Sequence, residues 1–233
     1  MKDKYLKYLT IFMIITLLAL CYFPVYAWQY GLSMEPTTTE YDSIEMPTKG
    51  MHWSTAPNGA AVFFFVSSTT TDGVFAQEGY IYNGLDASIL LQGGSTPIPP
   101  HSWAMFWMYY KPGVGYIGDA ILPPSGWSAS DAIYFSVAVY NSTGTLSFQF
   151  YDYNLGEYVG KKVSGVAYGR FTGNVGGIVE SSQTSGFGNI YVDQIALWAQ
   201  VISTGMRNSG PTSVYNNQSP SSVLIYVYTS NVV

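Results

Sequence analysis

Cysteine is all but missing from this chain. Its 233 residues include one, Cys21, and beyond that position no disulfide and no thiol nucleophile can form. Histidine is almost as scarce. His52 and His101 are the only two, and neither stands in metal-ligand spacing, which argues against a zinc or iron centre. Each reads instead as a loop residue packed beside a tryptophan, Trp53 or Trp103. Charge is thin as well: 10% of the residues are Asp, Glu, Lys or Arg, and acids outnumber bases 14 to 9. The basic footprint of a nucleic-acid partner is therefore absent. No G-x-S-x-G elbow, glycine-rich phosphate loop or D-T/S-G triplet occurs, and no cofactor is expected. A Ser-His-Asp triad needs no sequence proximity, yet no feature points to one. Hydrolytic chemistry here would have to come from carboxylates and amides.

What the chain does contain is hydroxyls, amides and rings. It has 21 tyrosines and 24 glycines, and aromatic residues make up 17%. A surface of hydroxyls and amides keeps its hydration when carboxylates protonate, whereas one of ion pairs loses them. That suits an acidic exterior, and it suits an ordinary secreted β-protein equally. Residues 1–27 support an exported chain. A basic start (Lys2, Lys4, Lys7) leads into an apolar run from Tyr8 to Leu20, then Val25-Tyr26-Ala27. This is the layout of a secretory signal peptide cleaved after Ala27, leaving residues 28–233 as one extracellular domain without a membrane partner. A retained anchor is the alternative, but the run is short for a span of about 20 residues. A lipid anchor on Cys21 would put Leu20 where a small residue is expected. The sequons at Asn141 and Asn217 agree with export.

After residue 27 no amphipathic helix is evident. Short runs rich in Val, Ile, Phe, Tyr and Trp alternate with Gly, Pro, Ser and Asn. The clearest cover 60–68, 78–84, 87–92, 103–110, 131–140, 145–153, 157–165, 175–182, 189–200 and 222–230. AIYFSVAVY, NSTG and LSFQFYDY together read as a hairpin. Some ten strands without βαβ alternation predict an all-β, two-sheet antiparallel sandwich or jelly roll. Residues 28–58 read either as a linker or as a meandering first strand.

Two polar residues close apolar runs: Gln92 in ILLQGG and Glu180 in GGIVE. Were both aimed into one concave face, an amide and a carboxyl would meet there. Such a pair can hydrolyse an amide bond. The carboxylate takes a proton from water and later returns it to the leaving nitrogen, while the glutamine N–H supports the developing oxyanion. A polar strand-end residue is more commonly just the solvent-facing member of an alternation.

These stretches resemble the secreted glutamic peptidases, the eqolisins. Trp28 followed by YDSIEMP (Tyr41–Pro47) is similar to that family's N-terminal Trp and Pro-ended strand. ILLQGG resembles its A-I-L-Q-T-G strand, AMFWMYYKP its W-Y-x-W-Y-P strand, and GGIVE the end of its A-E-W-I-V-E strand. SDAIYFSVAVYNSTGTLSFQFYD is similar to its G-D-S-I-x-V-x-V strand and hairpin, and SGFGNIYVDQIAL to its closing aromatic strand. The resemblance implies catalytic roles for Gln92 and Glu180, substrate contacts from Trp28, Trp107, Tyr109 and Asp86, and a groove that cleaves extended polypeptides in acid. Departures are Trp107 in place of a family Glu, no clear W-V-G-I-D-G stretch beyond YNGLD (82–86), and an insertion at 67–77. Two other functions remain open from the residues. NIYVDQIALW resembles the closing strand of concanavalin-like sugar-binding modules. The Tyr-rich, low-charge composition with an N-terminal arm also suits a surface or filament subunit.

Overall fold

Alternation along the aromatic strands sorts side chains onto two faces, and two sheets bury one face each against the other. The computed structural model describes residues 28–181, 189–208 and 212–216. The expected signal segment and the run at 222–230 lie outside the described residues. Strands are numbered in chain order. The first sheet holds β1 (Trp28–Met34), β2 (Glu40–Tyr41), β5 (Ala61–Thr70), β6 (Phe75–Asn83), β7 (Ser102–Lys111), β8 (Gly115–Ile121), β12 (Phe171–Ser181) and β17 (Thr212–Asn216). Its order is β17-β1-β12-β5-β6-β7-β8, with β2 also paired to β12. The second holds β3 (Ser43–Lys49), β9 (Ile133–Tyr140), β10 (Thr145–Asp152), β11 (Glu157–Val163), β14 (Gln194–Ile195), β15 (Trp198–Val201) and β16 (Met206–Asn208). Its order is β11-β10-β9-β3-β15-β16, with β14 on β3. A small ribbon pairs β4 (His52–Thr55) with β13 (Asn189–Tyr191). The described residues contain no helix, so the chain is an antiparallel β-sandwich.

Most expected strands are present, and AIYFSVAVY/LSFQFYDY is the β9–β10 hairpin. Three segments differ. The arm 28–58 is neither linker nor one strand but contributes β1 to β4. The stretch 67–77 is the tip of the β5–β6 hairpin, whose register runs from Ala61↔Asn83 to Thr69↔Phe75. ASILLQ (87–92) is loop, with the single bridge Ile89↔Ile98 as its β-pairing. The buried Asn83 side chain holds the two ends of the loop, its amide donating to the carbonyls of Ala87 (2.8 Å), Ile98 (3.0 Å) and Pro99 (3.0 Å).

The interior centres on Tyr80 of β6. Its ring lies 4.6 Å from Phe135, 5.3 Å from Trp127, 5.9 Å from Trp103 and 6.0 Å from Phe150. Strands β6 and β7 of one sheet thereby lock onto β9 and β10 of the other. Full burial of each large apolar side chain stabilises by about 1.5–3 kcal/mol. Beside this cluster the same interior face carries Glu78, opposite Val66 and Trp107. Its Oε2 accepts the Ser136 backbone N–H at 3.2 Å, across the gap between sheets.

Burial pushes the Glu78 carboxyl well above the ordinary carboxylate value, and hydrogen bonds from the Gln149 and Ser136 backbones only partly offset it. Burial raises Glu45 and Asp131 too, Glu45 against the pull of Arg207. A carboxyl raised on folding contributes stability that is complete below its unfolded value, near about 4, and is lost as pH rises through its folded value. Asp72 and Asp119 act oppositely. Burial lifts each, but hydrogen bonds outweigh it and hold both low, so their contribution is lost only as pH falls through those lowered values. The fully buried Glu78 dominates this balance. The melting temperature should therefore fall between mild acid and neutral pH, and Glu78→Gln should flatten that dependence, as thermal denaturation at both pH values will show.

Candidate functional site

The outer face of the first sheet is the second apolar surface of the molecule. Phe65, Ile81, Ala104, Phe106 and Ala120 are buried there beneath Leu91 and Ile98 of the 84–101 loop. Phe63 joins them, its ring edge-on to Phe106 at 5.4 Å. Close approach of β5 leaves no room for a side chain at Gly79. A Cβ there would strike the β5 backbone at Phe64 and Phe65.

The loop is fastened at several points. Asp119 of β8 accepts the N–H groups of Thr96 (2.9 Å) and Ser95 (3.1 Å) and the Ser95 hydroxyl (3.0 Å). At the loop's base, His101 Nε2 meets Asp86 Oδ1 at 2.9 Å, with His101 at a φ of 51°. Asp86 is thus an exposed loop residue paired to a histidine. Nothing in its surroundings orients it toward a substrate.

Glu180 lies in β12, next to last in the strand. It is opposed by Phe63 of β5 on one side and by Gln29 of β1 on the other. Directly opposed residues of antiparallel strands share a register row, and positions 29 and 180 fall in the row of Phe63 and Ile81. Trp28 is opposed to Ser181 and so belongs to the other set of positions.

Gln92 is elsewhere. ILLQGG forms a turn: the Gly94 N–H donates to the Leu91 carbonyl at 2.9 Å, and Gly93 takes a φ of 78°. The exposed Gln92 uses its own carbonyl to accept the Gly118 N–H at 2.9 Å, on the free edge of β8. From β12 to β8 is four strand-to-strand steps, about 19 Å at the usual spacing. The structure does not bring Gln92 and Glu180 together. The glycines after the glutamine were the signal for that turn.

Trp107 and Tyr109 require correction as substrate contacts. Both are buried in the sandwich interior, 8% and 6% exposed. Trp107 packs against Phe148 at 5.6 Å, with Lys161 Nζ 5.5 Å from its ring centre. Strand parity is the reason: in β7 the odd positions 105, 107 and 109 face the other sheet, while 104 and 106 lie under the loop.

A glutamine that sequence reasoning passed over stands on the outer face. Gln77 of β6 is opposed to Ser67 and Met108, and its Nε2 lies 3.2 Å from the Met108 sulfur. VFAQEG (74–79) carries the same apolar-x-x-Gln-x-Gly spacing that drew attention to ILLQGG, but on a true strand. It is two strands and four residues from Glu180 along the register, about 10 Å across and 14 Å along. The amide closest to Glu180 in the register is Gln29. Directly opposed positions of an antiparallel pair stand about 4.5–5.5 Å apart at Cβ.

No family model and no curated protein matches the chain. Among solved structures it is similar to scytalido-glutamic peptidase with a peptide-based transition-state analogue, at 17% identity and a TM-score of 0.42, covering 66% of this chain and 65% of that one. A second structure of scytalido-glutamic peptidase, with a transition-state analogue inhibitor, gives 16% identity, a TM-score of 0.39 and coverages of 66% and 64%. SCP-B, a member of the eqolisin family in complex with the tripeptide Ala-Ile-His, gives 14% identity, a TM-score of 0.46 and coverages of 78% and 82%. The chain thus spans slightly less than two thirds of the two scytalido-glutamic peptidase chains.

The fastening of the loop is directly checkable. Asp119→Ala removes a charged acceptor of three loop hydrogen bonds, each worth about 1.5–3 kcal/mol when one partner is ionised. Amide exchange at Ser95 and Thr96 should accelerate by about tenfold or more, while exchange in β9 and β10 stays unchanged.

Proposed function

We propose that the protein is a secreted acid peptidase that hydrolyses polypeptide amide bonds with Glu180 as general base and Gln29 as the partner amide. The observation that carries this reading is the cross-strand row in which positions 29 and 180 oppose each other. The motif resemblance through GGIVE supports the role of Glu180, while it implies Gln92 rather than Gln29 as the amide. The signal-like residues 1–27 support export. The carboxyls that burial raises, Glu78, Glu45 and Asp131, support a fold suited to acid.

The chemistry follows from the two groups. An ionised Glu180 takes one proton from a water as that water's oxygen bonds to the peptide carbonyl carbon. Negative charge moves to the carbonyl oxygen, where a glutamine N–H donates to it. Collapse of the tetrahedral species breaks the C–N bond, and the proton held by Glu180 passes to the departing nitrogen. A base works only when deprotonated, so the rate declines at the acid extreme.

The test is hydrolysis of a denatured protein in mild acid by the purified protein and its variants. Glu180→Gln should lower kcat/KM by about 100-fold or more, and Gln29→Ala by about 100-fold. Gln92→Ala should stay within about twofold, as expected for surface substitutions away from a site. Loss of activity in Gln92→Ala with Gln29→Ala unaffected would transfer the amide role to the 84–101 loop. Equal activity in all of them, or none in the parent, rejects the peptidase.

A further inference from the structure

The outer face of the second sheet, which the proposed reaction does not use, contains a cavity of about 350 Å³ where β3, β9, β14 and β15 meet. That is the size range of small-ligand sites. Pro47, Lys49, Tyr134, Tyr153, Trp198 and Arg207 are among its walls. One group beside it explains how it is built. Glu45, paired in register with Trp198 and Ser136, is 1% exposed. Its Oε2 lies 2.9 Å from Arg207 Nε, and the Arg207 guanidinium also lies over the Trp198 ring at 4.8 Å.

A buried carboxylate paired with an arginine seldom adds stability over apolar packing, because the desolvation of both ions offsets their attraction. What the arrangement does achieve is to hold a guanidinium flat against an indole at the cavity wall, with half of the arginine side chain still exposed. Tyr134 completes the set. Burial foremost, then the neighbouring Glu45, raises its hydroxyl far above the ordinary tyrosine value, and that hydroxyl donates to Glu45. Arg207 is likewise held protonated, since Glu45 and Tyr134 outweigh the downward pull of burial.

The polar groups of the walls include the Lys49 ammonium, the Arg207 guanidinium and the hydroxyls of Tyr134 and Tyr153. The buried Glu45 carboxylate engages both Arg207 and the Tyr134 hydroxyl. In a chain with 9 Lys and Arg against 14 Asp and Glu, two cations line this cavity. Its remaining walls are rings and the proline. A pocket with surplus positive charge and aromatic sides complements an anion fixed to an apolar body. We propose that this cavity binds a small carboxylate borne on an aromatic or apolar body, the chemistry of a free C-terminal amino-acid residue. It is independent of the reaction assigned to Glu180 and lies on the opposite sheet.

Isothermal titration calorimetry of the purified protein near neutral pH, with N-acetyl-L-phenylalanine as the probe, tests this. Its carboxamide and a neutral methyl glucoside are the comparison ligands. The acid should bind at least about tenfold more tightly than either, the difference expected for one charged contact. Lys49→Met should weaken it, and Arg207→Met should do so more strongly. Because Arg207→Met alone strands the Glu45 charge, the double variant Glu45→Gln/Arg207→Met supplies a folded reference, verified by its melting curve. Equal affinity for acid and amide, tighter binding of the glucoside, binding unchanged in the double variant, or no binding of the acid overturns the proposal.

Discussion

The reaction proposed around Glu180 depends on strand parity in the first sheet. A β-strand shows alternate residues to opposite faces, so a shift of one position exchanges interior for exterior. In β5, β6 and β7 the parity is held by what each face buries. Val62, Phe64, Val66, Glu78, Tyr80, Trp107 and Tyr109 point into the sandwich, and Phe65, Ile81, Ala104 and Phe106 lie under the 84–101 loop. Slipping any of these strands by one residue would drive the Tyr80 ring cluster out of the interior. The pairing of β12 with β5 then determines which position of GGIVE falls in the row of Phe63. That position is Glu180.

That same double burial limited what the sequence could disclose. The run WAMFWMYY is apolar on both sides because both sides are covered, and such strands lose the alternation that reveals which face is which. The resemblance implied substrate contacts for Trp107 and Tyr109, and both are core. The strands themselves were legible where turns punctuate them, as at NSTG between β9 and β10. The segment 87–92 misled because its apolar residues are buried without being paired: Leu91 and Ile98 roof a sheet rather than extend it. Glu180 was identifiable as a carboxyl in an apolar strand. Its cross-strand neighbour was not, since β1 lies about 150 residues earlier in the chain and only the register joins them.

The two faces of the sandwich carry different electrostatics. The interior and the first sheet hold carboxyls that burial raises or hydrogen bonds hold low, each acting where few cations are available to pair with them. The second sheet concentrates Arg207 and Lys49 around rings. A chain with little charge has placed a large share of it at definite points of the fold, and those points are where binding or chemistry is most readily argued.

Cross-linking tests the placement of Glu180 most directly. In a chain carrying Cys21→Ser, which removes the only native thiol, cysteine pairs at 29/180 and 92/180 can be oxidised under mild conditions. Opposed residues of antiparallel strands have Cα atoms about 4.5–5.5 Å apart, within disulfide reach. The account predicts rapid bridging of 29 to 180 and none of 92 to 180. Bridging of 92 to 180 with 29 and 180 left reduced would contradict it.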